Sequence, residues 1–129
     1  MASIFSKIIA GDIPCHRIAE NDEFLAFLDI SPLAEGHTLV IPKNEVDYFF
    51  ELDAELLARI NLFARDVAQK IEAAIPCKRV GVAVIGLEVP HAHMHLIPLQ
   101  NVSDINFERP KLSFTPEELA ATAERIKTA

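Results

Sequence analysis

Between residues 91 and 97 the chain reads HAHMHLI, an imidazole at every second position with hydrocarbon in between. Only one regular backbone gives that order a purpose. A helix turns about 100° per residue and would scatter His91, His93 and His95 around its circumference. An extended strand has a period of two, so it puts the three imidazoles on one face and Ala92, Met94 and Leu96 on the other. The stretch therefore calls for a sheet whose hydrocarbon face packs on a helix layer and whose imidazole face looks into something polar. Pro98 and the loop after it are expected to end the strand.

The rest of the chain supplies elements to surround such a strand. Apolar residues at 4, 5, 8 and 9 give "SIFSKIIAG" a helical spacing that stops at Gly11. "CHRIAEN" and "EFLAFLD" read as two strands joined by a turn at Asn21-Asp22, and "HTLVIPK" as a third, ended by Pro42. Asp53 caps a long helix whose Leu56, Ile60, Phe63, Val67, Ile71 and Ala74 form one apolar stripe, closed by Pro76. "KRVGVAVIG" is an apolar strand, with "HAHMHLIPL" as its expected partner. A last helix begins at Thr115, with Pro116 in its first position, Glu118 completing a capping box, and Leu119, Ala123 and Ile126 inside. The links between strands are mostly too short for helical crossovers, so the sheet should be largely antiparallel. The expected class is α+β, with the helices on one side of the sheet.

One domain of 129 residues, half of them hydrophobic, can close a core without disulfides or metal. Cys15 and Cys77 are expected to be buried free thiols. The first residues are too short and too polar for a signal peptide, and no apolar run approaches the roughly 20 residues of a membrane helix. A cytoplasmic location without membrane contact is therefore expected. A net charge of −7 argues against general nucleic-acid binding, which needs a basic surface. It leaves room for a small anion held by backbone amides and imidazoles in one cleft.

Three readings of the histidine row compete. The bland one is satisfied or solvated imidazoles, disfavoured because neighbours in register repel when protonated. The second is a metal site. Alternate strand residues lie about 6.6 Å apart and the outer two about 13 Å, too far for one ion, so only part of the row could join a distant ligand such as His37. The third is nucleophilic catalysis. A neutral ring nitrogen attacks phosphorus while its opposite nitrogen is fixed as N–H, and neighbouring imidazoles bind phosphate oxygens or pass a proton.

HAHMHLI also resembles the histidine triad pattern, His-φ-His-φ-His-φ-φ with φ apolar, without a mismatch. "SIFSKIIAGDIP" resembles that family's opening helix and turn. "LAFLDISPLAEGHTLVIPK", residues 25 to 43, resembles its "AF-DI-P---GH-LVIPK" block. Residues 3 to about 100 carry the likeness, and a helical extension, about 102–129, follows within a single domain 1–129. His95 sets the chain apart from the hexose-phosphate uridylyltransferase branch, which has glutamine there.

The resemblance implies a mostly antiparallel five-stranded sheet with one long helix and short terminal helices. It implies hydrolysis at the α-phosphate of nucleoside phosphoramidates or dinucleoside polyphosphates, through a nucleotidyl intermediate on His93 and with no cofactor. His95 would contact the phosphate, His91 would support the site, and His37 would lie beside the triad. Ile4, Phe5, Ile8, Phe27, Leu28, Asp29, Ile30, Glu88 and Val89 would hold a nucleotide, a purine one, with Asp29 accepting hydrogen bonds from the ribose hydroxyls. Core packing is the competing account of Phe27 and Ile30, and a turn cap that of Asp29. A homodimer joined sheet edge to sheet edge is implied, with strand 79–85 and the long helix at the contact.

The chain departs from the pattern in three places. Ser3 and Ser6 stand where some members carry a zinc-binding Cys-x-x-Cys, so no metal is expected. "VIGLEVPHAH" is short and reads Gly86-Leu87 where Gly-Gln is usual. Glu88 stands where many members have a hydroxyl, which leaves the leaving group open. A nucleotide-binding scaffold with weak catalysis and a His37-ligated metalloprotein stay as alternatives. Arg109 and Lys111 can each reach a phosphate or lie in a solvated loop.

Overall fold

A computed structural model describes residues 2–129. Its elements are α1 (Ile4–Ala10), β1 (Arg17–Glu20), β2 (Phe24–Leu28), β3 (Thr38–Pro42), α2 (Ala54–Ala74), β4 (Arg79–Ala83), β5 (Met94–Leu99) and α3 (Pro116–Lys127). The strands form one antiparallel sheet in the order β1-β2-β3-β5-β4, an α+β arrangement.

Alternation along the strands divides the side chains between two cores. Phe24, Ala26 and Leu28 of β2, Val40 of β3, and Ala92, Met94 and Leu96 point to one face. There they meet Leu56, Ile60, Ala64, Val67 and Ile71 of α2 and Leu119, Ala123 and Ile126 of α3. Leu25, Phe27, Leu39 and Ile41 point to the other face and meet Phe5 and Ile8 of α1. Each of the Val, Leu, Ile, Phe and Met side chains among them, fully buried, stabilises by about 1.5–3 kcal/mol. The expectation that all helices share one side is thus corrected: seven residues of α1 sit alone on the far face. The reason is visible in β2 and β3, which are apolar on both faces and so need cover on both. The α2 stripe holds with one shift, Ala64 being buried where Phe63 and Ala74 are only partly so.

The ends of α1 and α3 follow their sequence signals. The Ser3 hydroxyl accepts the Ser6 N–H, and Gly11 takes the left-handed conformation at φ 87. Thr115 and Glu118 form the capping box with Pro116 behind it.

The boundaries of β4 and β5 differ from expectation. β5 begins at Met94, because the Ala92 N–H donates to the Val46 carbonyl (2.7 Å) instead of joining a ladder. β5 also runs through Pro98, which pairs with Val80. β3 pairs only with residues 94–96, so one side of Pro98 has no strand to donate to. β4 covers only Arg79–Ala83 and is a largely exposed edge, with Val82 58% accessible. Both cysteines are free and half-buried rather than buried.

Candidate active site

The imidazole row lies on the α1 side of the sheet, where α1 is too short to cover it. The uncovered ground is a cleft of about 410 Å³. His93, His95 and His37 line it, with Ile4, Phe5 and Ile8 of α1, Phe27, Leu28, Asp29 and Ile30 of and after β2, and Glu88 and Val89 of the β4–β5 loop. Ile30 and Glu88 lie at its exposed rim. His91 is the exception. It is completely buried and does not reach the cleft, so the triad does not present three rings to one space.

The hydrogen bonds fix where each ring carries its proton. The His93 Nδ1 lies 2.7 Å from the His91 carbonyl oxygen, which can only accept, so Nδ1 is the N–H and Nε2 keeps a free lone pair. The Leu33 N–H donates to His37 Nδ1 (3.0 Å), which forces the His37 proton onto Nε2. That N–H donates to His95 Nδ1 (2.9 Å), and the His95 proton is forced onto Nε2 in turn. His91 donates from Nε2 to the Pro42 carbonyl (2.8 Å) and accepts at Nδ1 from the Ser3 hydroxyl (2.8 Å). A backbone group thus sets every tautomer, directly or through one neighbour.

Local structure places these groups. Gly36, at φ 93, turns the chain into β3 just ahead of His37, and a Cβ there would approach Ile75 Cγ1 to 3.0 Å. β3 pairing then sets Leu39 opposite His95, on the same face. Phe5 packs edge-on against His93 at 5.0 Å and His91 at 5.8 Å between ring centroids.

Burial disfavours the charged form of His37, His91 and His95. It pushes His37 down to about 3 and His95 down to about 4, with neighbouring imidazoles and Lys111 adding to the effect. Burial also lowers His91 and raises Asp29. Asp29 accepts the Ser31 N–H at 2.9 Å, as a turn cap does, and its other oxygen lies 3.7 Å from His37 Nε2.

Asp29, His37 and His95 bring three donor atoms within 4.8 Å of one another. They do not suit a cation. A metal on His37 Nε2 would move that ring's proton to Nδ1, straight against the Leu33 N–H. Ser3 and Ser6 are equally committed. The Ser3 amide and the Ser6 hydroxyl both donate to Glu45 Oε1 at 2.6 Å, and these bonds hold the Glu45 carboxyl well below its usual range. The network takes up the hydroxyls and offers no thiolate, so it does not fit zinc.

Several lining residues were not singled out from sequence: Ile13, Pro14, Ser31, Leu39, Ile85 and Phe107. An isolated phenylalanine in the polar run "NVSDINFERPK" was the available signal for the last. Of the two flagged cations, Lys111 lines the cleft, whereas Arg109 turns to the Ser103 carbonyl (2.7 Å) and the Asp104 carboxylate (3.3 Å).

Comparison with known proteins adds independent findings. Residues 10–102 match the HIT domain. The adenosine 5'-monophosphoramidase of Schizosaccharomyces pombe is 37% identical over 134 residues, covering 99% of this chain and 98% of that protein. A Bacillus subtilis protein named hit is 38% identical, covering 78% of this chain and 73% of its own length. Among solved structures, a Hit-like protein from Bartonella henselae, 30% identical, superposes with a TM-score of 0.84 over 98% of this chain and 95% of its own. A zinc-bound histidine triad family protein from Mycobacterium smegmatis, 26% identical, gives 0.83 over 99% and 92%.

Proposed function

The chain belongs to the HIT domain family of nucleotide hydrolases, and on that premise we propose that His93 attacks the α-phosphate of a nucleoside phosphoramidate or dinucleoside polyphosphate. The observation that carries this reading is the 2.7 Å bond from His93 Nδ1–H to the His91 carbonyl. It leaves Nε2 as a nucleophile in a cleft and stabilises the imidazolium that forms on attack.

In the first half-reaction the Nε2–P bond forms and the bond from phosphorus to the leaving group breaks. An amine leaving group departs with a proton taken from water. The His95 Nε2–H donates to a non-bridging phosphate oxygen, as an oxyanion donor does. Water then attacks phosphorus and the P–Nε2 bond breaks. Of that water's two protons, one replaces the proton borrowed in the first half-reaction and the other is released to solvent as the product monophosphate ionises. A nucleoside monophosphate leaves. Asp29 would accept from the ribose hydroxyls, with the base, a purine, among Ile4, Phe5, Ile8, Phe27, Leu28, Ile30 and Val89. The similarity to the fission-yeast phosphoramidase favours the phosphoramidate over the dinucleotide.

The test is turnover of adenosine phosphoramidate. His93→Ala should lower kcat by about a thousandfold or more, while urea unfolding shows the fold intact. Undiminished turnover in that variant rules the mechanism out.

A second reading, a nucleotide-binding scaffold with weak catalysis, is favoured by Glu88, a carboxylate at the cleft rim where a phosphate would enter. Binding of AMP without turnover of any of these substrates would select it. The exposed β4 edge supports a homodimer of joined sheets. Sedimentation at micromolar concentration should give twice the chain mass, and a monomer there would dismiss it. No helix among the described residues is long and apolar enough to cross a membrane, and a cytoplasmic setting is part of this reading.

A further inference from the structure

The segment after β5 returns to the cleft. Leu112 N–H donates to the Pro32 carbonyl (2.8 Å), which straps the segment to the loop between β2 and β3. Phe107 sets its ring edge-on to His95, with centroids 4.7 Å apart. Lys111 lies behind it, with Nζ 5.8 Å from the Phe107 centroid. Its ammonium donates to the carbonyls of Phe107 (2.6 Å) and Arg109 (3.4 Å). Those two acceptors are neutral, and a lysine has three donors. Among the described residues no carboxylate is within 4.0 Å of this ammonium.

The charges around the cleft are lopsided. Its lining has two carboxylates, Asp29 and Glu88, and one permanent cation, Lys111. His37 and His95 are neutral near pH 7 and supply hydrogen bonds without charge. A phosphate entering this space meets two carboxylates, and the lysine is the permanent cation in the lining that offsets part of their charge. We propose that Lys111 binds the phosphate of the ligand through its open N–H and so makes this cleft selective for nucleotides over uncharged nucleosides. The strap places the charge, and the neutral carbonyls hold it without cancelling it. A charge-assisted bond to phosphate is of the strength needed for such discrimination.

This inference rests on the nucleotide-hydrolase reading, and calorimetry with AMP and adenosine separates the two. In the full chain, Lys111→Met should weaken AMP binding by about tenfold and leave adenosine binding within about twofold. Lys111→Arg should recover most of the loss. The salt dependence of AMP binding should flatten in the methionine variant. Equal weakening of both ligands would mean that Lys111 merely holds the strap, and unchanged AMP binding would mean that it does nothing for phosphate. Either result overturns the proposal. If the wild-type protein turns over adenosine phosphoramidate and Lys111→Met leaves KM unaltered, only the lysine's role falls. If the wild-type protein binds neither ligand, both readings fall together.

Discussion

The two faces of the sheet are built from the same strands and come to opposite ends. One face is sealed by the 21 residues of α2 and the 12 of α3. The other has only the seven residues of α1, which cover Leu25, Phe27, Leu39 and Ile41 and leave His37, His93 and His95 beside open space. Side-chain alternation sends Met94 and Leu96 to the sealed face and His93 and His95 to the open one, so neighbouring residues of a single strand serve the core and the site. The sealed face is where the larger hydrophobic core lies; the open face carries polar groups whose hydrogen bonds are met by the backbone and by one another.

That division can be broken experimentally. The largest effect should come from Ile60→Ala at the centre of the sealed face, with a loss of about 2–5 kcal/mol in urea unfolding. Turnover per folded molecule should stay within about twofold. A parallel collapse of kcat would show that the two faces are not separable. Next is Ser3→Ala on the open face. It removes the α1 cap and leaves His91 Nδ1 buried without its donor, so about 1–2 kcal/mol should be lost. Here kcat should also fall, since α1 and His91 both border the nucleophile. A variant with normal unfolding and normal rate would detach this network from the site.

The smallest effect is a pH dependence. Folding lowers His37 to about 3 and His95 to about 4 from 6.5, so the unfolded chain takes up protons first as acid is added. Their contribution is intact above pH 6.5 and is lost as pH falls through that value toward 4. Between pH 7 and pH 6 the two rings should cost about 1 kcal/mol. Equal urea midpoints at both values would mean that the rings charge freely inside the fold, against the burial described.

Much of this contrast was legible in the residues. The period of two in HAHMHLI assigned its hydrocarbon to a helix layer, and the caps and stripes of α2 and α3 located that layer. The far face was harder. FLAFL and TLVIP are apolar at nearly every position, so they do not show where α1 must go. The place of the His91 ring, buried beside the cleft and not lining it, was hidden because a regular strand was assumed through residue 91, whereas the Val46 carbonyl draws Ala92 out of the ladder. The tautomer relay was hidden for a similar reason. It starts from the Leu33 amide and the carbonyls of Pro42 and His91, and backbone groups leave no mark in a list of side chains. Lys111 was one of two plausible cations. Only the strap at Leu112 and the Asp104 partner of Arg109 tell them apart.

The acceptor that steadies the His93 ring belongs to the peptide bond, not to any side chain. A point mutation can swap the imidazole at 91 for another group without deleting the oxygen that orients its neighbour. Damage there would arrive indirectly, through a shifted main chain, and would vary in degree from one replacement to the next. Replacing residue 93 itself offers no such gradation. Two adjacent members of one motif should therefore tolerate mutation very differently: one would fade by increments, the other would fail outright.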